Sequence, residues 1–194
     1  HKKFGEDLAI LAGDALFLDP FGMIAASALP DAVKVSLILE LSDASGSRGM
    51  VAGQVLDMEG EHKQLTLAEL QTIHANKTGR LLAYPFIAAG LMLELQADIG
   101  QLLEKIGKKL GLAFQVRDDI LDLVADFEAL GKTPQKDLVA EKSTYPALLG
   151  LEESKALLTS ELDACEDLLD QITAACDFDP QAIKKLIEGL RIDG

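Results

Sequence analysis

Basic residues are scarce in this chain. Eighteen lysines and arginines stand against 32 aspartates and glutamates, giving a formal charge of −14 over 194 residues. A surface of that sign argues against nucleic acid and anionic membranes as partners. An anionic ligand would need metal ions or a few well-placed lysines. Cysteine is almost absent: Cys165 and Cys176 lie eleven residues apart in helix-like sequence. They read as incidental, reduced thiols of a cytoplasmic protein rather than a disulfide framework. The longest uncharged, mostly apolar run, Leu81 to Leu93, falls short of the ~20 residues that span a bilayer. Stable membrane insertion is not expected. There is no glycine-rich P-loop, which argues against a Walker-type nucleotide site. Nor is there a Ser/His/Asp or Cys/His set to suggest covalent catalysis. No stretch alternates with period two for long enough to make a convincing strand. The opening His1-Lys2-Lys3-Phe4 has no methionine and runs at once into a helical pattern. It reads as the later portion of a longer protein, with residues 1–194 belonging to one domain.

What is present is apolar and helical. Hydrophobic residues make up 48% of the chain and charged ones 26%, enough for a full core. Phe4 to Leu29 reads as one helix, bent at Pro20 because proline removes a backbone donor. Asp7 and Asp14 share a face with Ile10, Leu11, Leu18 and Phe21, and read as a helix edge or an internal salt bridge. Pro30-Asp31 opens a second helix running through Leu41. Gly46, Gly49 and Gly53 then recur at helical spacing. Glycine weakens a helix interior by ~1 kcal/mol relative to alanine, so the run predicts close approach of another helix or a ligand. Gln54 and Asp57 follow on one face. Thr66-Leu-Ala-Glu69 is a capping box that opens a long helix, with a kink expected at Pro85. Its apolar face carries Leu70, Ile73, Leu81, Tyr84, Ala88 and Leu91, with Lys77 at the centre. A buried lysine without a partner is costly, so Lys77 either snorkels to an edge or points at an anion in a cavity. A central helix begins near Asp98. Gly131-Lys132-Thr133-Pro134 has turn composition and places a lysine in the loop after that helix. Tyr145-Pro146 starts another helix, and Glu152 to Ala175 and Pro180 to Arg191 close the chain. The fold class is all-α.

The central helix carries the most informative stretch, Gly111-Leu-Ala-Phe-Gln115-Val-Arg117-Asp118-Asp119-Ile-Leu-Asp122. At ~100° per residue, Gln115, Asp118, Asp119 and Asp122 fall within an arc of roughly 100°. Apolar residues flank that arc on both sides, whereas a solvated acidic face normally grades into more polar residues. Like charges one turn apart destabilise a helix, so something positive has to offset them. A charged stripe with a capping role is one reading. The other is a hard divalent cation, since Mg²⁺ takes one or two carboxylates, waters and a phosphate. With Lys77 and Lys132 added, the set forms a clamp for a diphosphate, and the apolar helices would house its tail. Asp118, Asp122, Lys77 and Lys132 are expected to point into one cavity, with Gln115 and Gln54 on its wall.

These residues sit in a longer series. GLAFQVRDDILD, followed by LGKTPQKDL and KSTYPALLGLE and preceded by HKKFGEDLAILAGDALF, GQVLDMEGE and IHANKTGRLL, strongly resembles the short-chain isoprenyl diphosphate synthases of the bacterial farnesyl/geranylgeranyl type. The resemblance covers nearly the whole chain in order. It implies an isoprenoid synthase helical bundle around a central cavity, here without its N-terminal helices, and a homodimer. It implies Mg²⁺-assisted ionisation of an allylic diphosphate and 1′–4 condensation with isopentenyl diphosphate, giving farnesyl or geranylgeranyl diphosphate. Asp118 and Asp122 match Mg²⁺ ligands, with Asp119 closely associated. Lys77 and Lys132 match lysines that hold the departing diphosphate. Thr78 and Gln115 match groups facing the developing cation, and Gln54 matches a cavity-lining glutamine followed by Asp57. The family's first aspartate-rich motif and isopentenyl site fall upstream of His1, so residues 1–194 alone are expected to be inactive. A class I terpene cyclase, a head-to-head synthase and a non-catalytic subunit of a heteromeric synthase are the competing readings.

Overall fold

The computed structural model describes residues 1–130 and 143–192, the stretch 126–130 by its helical backbone alone. Among the described residues there are nine α-helices and no strand. They are α1 (Glu6–Ala26), α2 (Asp31–Ser45), α3 (Met50–Gly60), α4 (Leu67–His74), α5 (Arg80–Met92), α6 (Ala97–Leu130), α7 (Tyr145–Leu149), α8 (Leu151–Ala175) and α9 (Gln181–Leu190), with a π turn, Ala75–Gly79, between α4 and α5.

The predicted helices form, with three differences. Gly46 to Gly49 separate α2 from α3 instead of continuing one helix. The long helix from Thr66 starts on the expected capping box, with Thr66 Oγ1 accepting from Glu69 N–H at 3.3 Å and Glu69 Oε2 accepting from Thr66 N–H at 2.8 Å. Its interruption, however, is the π turn, and Pro85 lies within α5. The third difference is α1. None of its residues is buried, and Leu8, Leu11, Leu16, Leu18 and Met23 are exposed. By length and a mean hydropathy of 1.6 it is the one helix among the described residues long and apolar enough to cross a membrane. Counting uncharged runs overlooks it, because Asp7, Asp14 and Asp19 punctuate an otherwise greasy stretch.

The core is organised by the two faces of α6. On one face Ile99, Leu103, Ile106, Leu110, Ala113, Val116 and Ile120 are buried. Leu158, Leu162, Cys165, Leu169 and Ile172 of α8 meet them, with Tyr145 of α7 and Ile187 and Leu190 of α9 in the same cluster. Alternating steps of three and four residues make a continuous apolar stripe on each helix, and burying each large aliphatic side chain contributes roughly 1.5–3 kcal/mol.

The other face of α6 is made of small residues. Gly100 faces Gly90, Gly107 faces Ala83 and Gly111 faces Gly79, so α5 runs antiparallel to α6 at backbone distance. A β-carbon on Gly107 would sit 2.6 Å from Ala83 Cα, and one on Gly111 would sit 2.7 Å from Gly79 Cα. Tyr84 Oη donates to the Leu37 carbonyl at 3.3 Å and ties α2 to the outer side of α5. Gly111→Ala should therefore cost about 1–3 kcal/mol, the range for over-packing, read as a lower urea midpoint. Gly189→Ala meets nothing within 4 Å and should be neutral or stabilising by up to ~1 kcal/mol, as for an exposed helical glycine.

Candidate active site

The glycine face of α6 does not end at Gly111. At ~100° per residue, Gly100, Gly107, Gly111, Gln115, Asp118 and Asp122 lie within about 80° of one another. The acidic positions thus continue the face on which α6 grips the π turn. Asp118 stands two helical turns beyond Gly111, about 10 Å along the axis.

The π turn carries Lys77 and Thr78, both half-buried. A π turn widens a helix by one residue and is found mostly at functional positions. Here it is held from two sides. Gly79 rests against Gly111 of α6, and Gly53 of α3 packs against the Lys77 backbone so closely that a β-carbon would overlap the Lys77 nitrogen and Cα. The close approach expected of the glycine run is realised at Gly53. One turn further along α3, Asp57 Oδ2 meets Lys77 Nζ at 2.5 Å. Both side chains keep about a third of their surface in solvent (34% and 37%). An ion pair that wet is worth ~0–1 kcal/mol, so another anion can take the lysine at small cost. Of the two alternatives open to Lys77, the snorkel to a polar edge describes its present position.

The remaining expected residues are placed as follows. Gln115 is half-buried on α6, one turn past Gly111, while Gln54 on α3 is exposed. Asp118 and Asp122 are exposed, on an open face rather than inside a cavity. Asp119 is half-buried, and its Oδ2 accepts the Tyr145 backbone N–H at 2.9 Å. Asp119 therefore orients α7 and is set apart from its two neighbours. Among the described residues no three His, Cys, Asp or Glu side chains converge into a preformed metal cage. Two open carboxylates without a cage fit a metal that keeps waters and completes its shell with phosphate oxygens, the habit of Mg²⁺. Lys132 lies outside the described residues. An apolar cavity of about 340 Å³ lies at the far end of α5 and α6, lined by Phe86, Leu103, Ile172 and Phe178.

Two residues of this region are assigned no site role from the sequence. His74 ends α4, three residues before Lys77, and its ring lies 5.5 Å from that of Tyr145, tilted by 50°. Tyr145 is fully buried, and burial, with Asp119 and Glu161 nearby, pushes its hydroxyl well above the usual tyrosine range. Burial pushes His74 down to about 4; Asp57 works against the shift and Lys77 adds to it. A lone histidine in a polar-looking segment gives no hint of this environment. Arg117, on the arc away from the acidic face, is half-buried with an enclosed Nε that makes no hydrogen bond.

The histidine makes stability depend on pH. Its folded pKa lies below its unfolded value of 6.5, so between the two the unfolded chain binds the extra proton. The His74 contribution is complete above pH 6.5 and is lost as pH falls toward 4, an effect of up to about 3 kcal/mol. Denaturant titrations of wild type and His74→Phe should run closest together above pH 6.5 and diverge as pH falls toward 4, with wild type losing the more stability and the variant showing the shallower pH dependence.

Comparisons with known proteins bear on the fold and the family. The polyprenyl synthetase family profile matches residues 1–178. The chain is 48% identical over 188 residues to farnesyl diphosphate synthase of Micrococcus luteus, covering 97% of this chain and 65% of that protein. It is 42% identical over 196 residues to farnesyl diphosphate synthase of Escherichia coli (strain K12), covering 97% and 64%. Among solved structures, a putative farnesyl-diphosphate synthase from Marinomonas superposes with a TM-score of 0.81 at 33% identity, over 98% of this chain and 64% of the other. A Helicobacter pylori geranyltransferase complexed with magnesium and isoprenyl diphosphate gives a TM-score of 0.69 at 32% identity, over 90% and 62%. The chain thus spans just under two-thirds of the length of these curated relatives. Its sequence and its helical architecture together make it a member of the polyprenyl synthetase family.

Proposed function

We propose that the whole protein is a prenyltransferase that joins an allylic diphosphate to isopentenyl diphosphate, giving farnesyl or geranylgeranyl diphosphate. The observation that carries this reading is the shared face of α6. The residues that grip the Lys77 turn and the residues that bear Asp118 and Asp122 form one stripe, so a cation and two open carboxylates serve the same ligand. A protein of net charge −14 otherwise has little to offer a diphosphate. The Micrococcus luteus and Escherichia coli relatives named as farnesyl diphosphate synthases support the same reaction.

In this mechanism the allylic C1–O bond breaks heterolytically and its electron pair leaves with pyrophosphate. The isopentenyl double bond supplies the electrons of the new carbon–carbon bond to C1, and a proton is then lost from the adjoining carbon. Lys77 exchanges its Asp57 carboxylate for diphosphate oxygens and neutralises the growing negative charge. Thr78 and Gln115 turn oxygen dipoles toward the allylic carbon as it becomes positive; fixed dipoles of this kind lower a barrier because they need no reorganisation. Asp118 and Asp122 would hold Mg²⁺, which when bound supplies neutralisation of the leaving diphosphate. Asp119 keeps α7 in place through the Tyr145 N–H, and Lys132 is assigned the second lysine role by resemblance. The Helicobacter pylori geranyltransferase with magnesium and isoprenyl diphosphate supports the metal. The proposal extends to a cytoplasmic homodimer, for which the exposed apolar side chains of α1 are available surface.

Two measurements test the reading on the full-length protein. Mg²⁺ and pyrophosphate together should raise the melting temperature by more than the sum of their separate shifts, because each offsets the other's charge and a ligand of the folded state stabilises by mass action. Additive shifts would contradict a shared site. Asp118→Asn should lower prenyl transfer, measured with labelled isopentenyl diphosphate, by at least about a hundredfold, or ~2.7 kcal/mol of transition-state stabilisation. Activity within a few-fold of wild type would contradict the assignment.

A further inference from the structure

The two walls of the proposed site belong to different helices, and something must fix the distance between them. Gly79 against Gly111 joins them at the base. Two turns higher, at the level of Asp118 and Asp119, the small residues of α5 no longer reach. Leu70 of α4 shares the buried cluster of Val116 and Ile120 on α6, and one pair of rings adds a contact nearer the site. His74, at the end of α4 and three residues from Lys77, lies 5.5 Å from Tyr145. Tyr145 in turn donates its backbone N–H to Asp119 at 2.9 Å. Ser143, two residues earlier, accepts from Leu65 N–H at 3.1 Å and donates to the Lys63 carbonyl at 3.3 Å, so the same short segment is also tied to the loop that leads into α4.

The composition of this corner is not what core packing alone would select. His74 Nδ1 and Tyr145 Oη are both enclosed and make no hydrogen bond. Burying an unsatisfied polar atom is unfavourable, and apolar residues of similar shape would avoid it. An ordinary aliphatic pair would join the helices more cheaply. Flat rings in a tilted contact instead give a fixed separation with few rotamers on either side.

We propose that His74 is a positioning residue: its contact with Tyr145 is the strut that holds the Lys77 turn at a set distance from the Asp118–Asp122 face. The inference rests on the reading of that face as a diphosphate site. It assigns His74 no contact with substrate, only control over where Lys77 stands relative to the carboxylates.

The test uses the full-length protein and its His74→Ala, His74→Phe and Tyr145→Leu variants. Ile187→Ala, remote from the site, serves as a control for lost stability. His74→Ala and Tyr145→Leu should each lose most of the melting-temperature rise caused by Mg²⁺ with pyrophosphate. Their kcat should fall between about tenfold and a hundredfold, the scale of a misplacement of about 1 Å, with KM for isopentenyl diphosphate little changed. His74→Phe, which keeps a ring against Tyr145, should restore both readouts. If His74→Ala keeps the ligand-induced rise, as Ile187→Ala should, the strut is overturned and the function stands. If wild type shows no rise with Mg²⁺ and pyrophosphate, the functional reading fails instead. Hydrogen exchange without ligand then decides the strut. Ring removal should speed exchange at 75–79 and 118–122 together, and unchanged exchange at both segments would overturn it. Should His74→Ala fail to fold, the same measurements on Tyr145→Leu and His74→Phe decide the matter.

Discussion

The site depends on a steric constraint: the π turn is gripped by backbone on two sides. Gly53 admits the Lys77 backbone on one side and Gly111 admits Gly79 on the other. Neither contact leaves room for a methyl group. Helix packing at that distance allows little sliding, because the contacts are main chain to main chain rather than flexible side chains. The consequence is that the base of the Lys77 turn stands at a fixed height on α6. The lysine's partner Asp57 is one turn from Gly53, and Asp118 and Asp122 are about two and three turns from Gly111. Strict packing thus places groups of opposite charge along one stripe without any of them being buried.

Electrostatics explains why such rigidity is useful. Three carboxylates within one arc repel, and the structure relieves this in two ways. Asp119 turns aside to accept the Tyr145 N–H, while Asp118 and Asp122 stay in solvent, where water screens them. The Lys77–Asp57 pair is equally wet. Asp118, Asp122 and the Lys77–Asp57 pair all stay in contact with solvent, so under the proposed function a metal-bound diphosphate can reorder their charges while the backbone beneath them stays still.

Much of this was legible in the sequence. The capping box at Thr66, the proline at the start of α7 and the long apolar stripe of α6 are local signals with local causes. The series of motifs around GLAFQVRDDILD carried the family. The π turn was not legible, since an extra residue leaves no pattern of its own and Pro85 offered a more obvious break. Lys77 stood out as a lysine on an apolar face, but its pairing with Asp57 across 20 residues is a tertiary fact. Asp119 looked like its neighbours until Tyr145, 26 residues away, gave it a separate task. His74 is not singled out by the sequence, and its burial against the ring of Tyr145 distinguishes it. The expectation of one cavity came from the helical arcs on which these side chains lie, and the described helices present Asp118 and Asp122 on an open face instead.

The central claim is that Lys77 on its clamped turn and the Asp118–Asp122 pair grip the same diphosphate. A crystal structure of the full-length protein with Mg²⁺ and pyrophosphate tests this most directly. The account predicts Lys77 Nζ moved from Asp57 to a pyrophosphate oxygen, with metal density on Asp118 and Asp122 and the backbone of 75–79 unmoved. Pyrophosphate bound elsewhere, with Lys77 still on Asp57 and the two carboxylates bare, would contradict it.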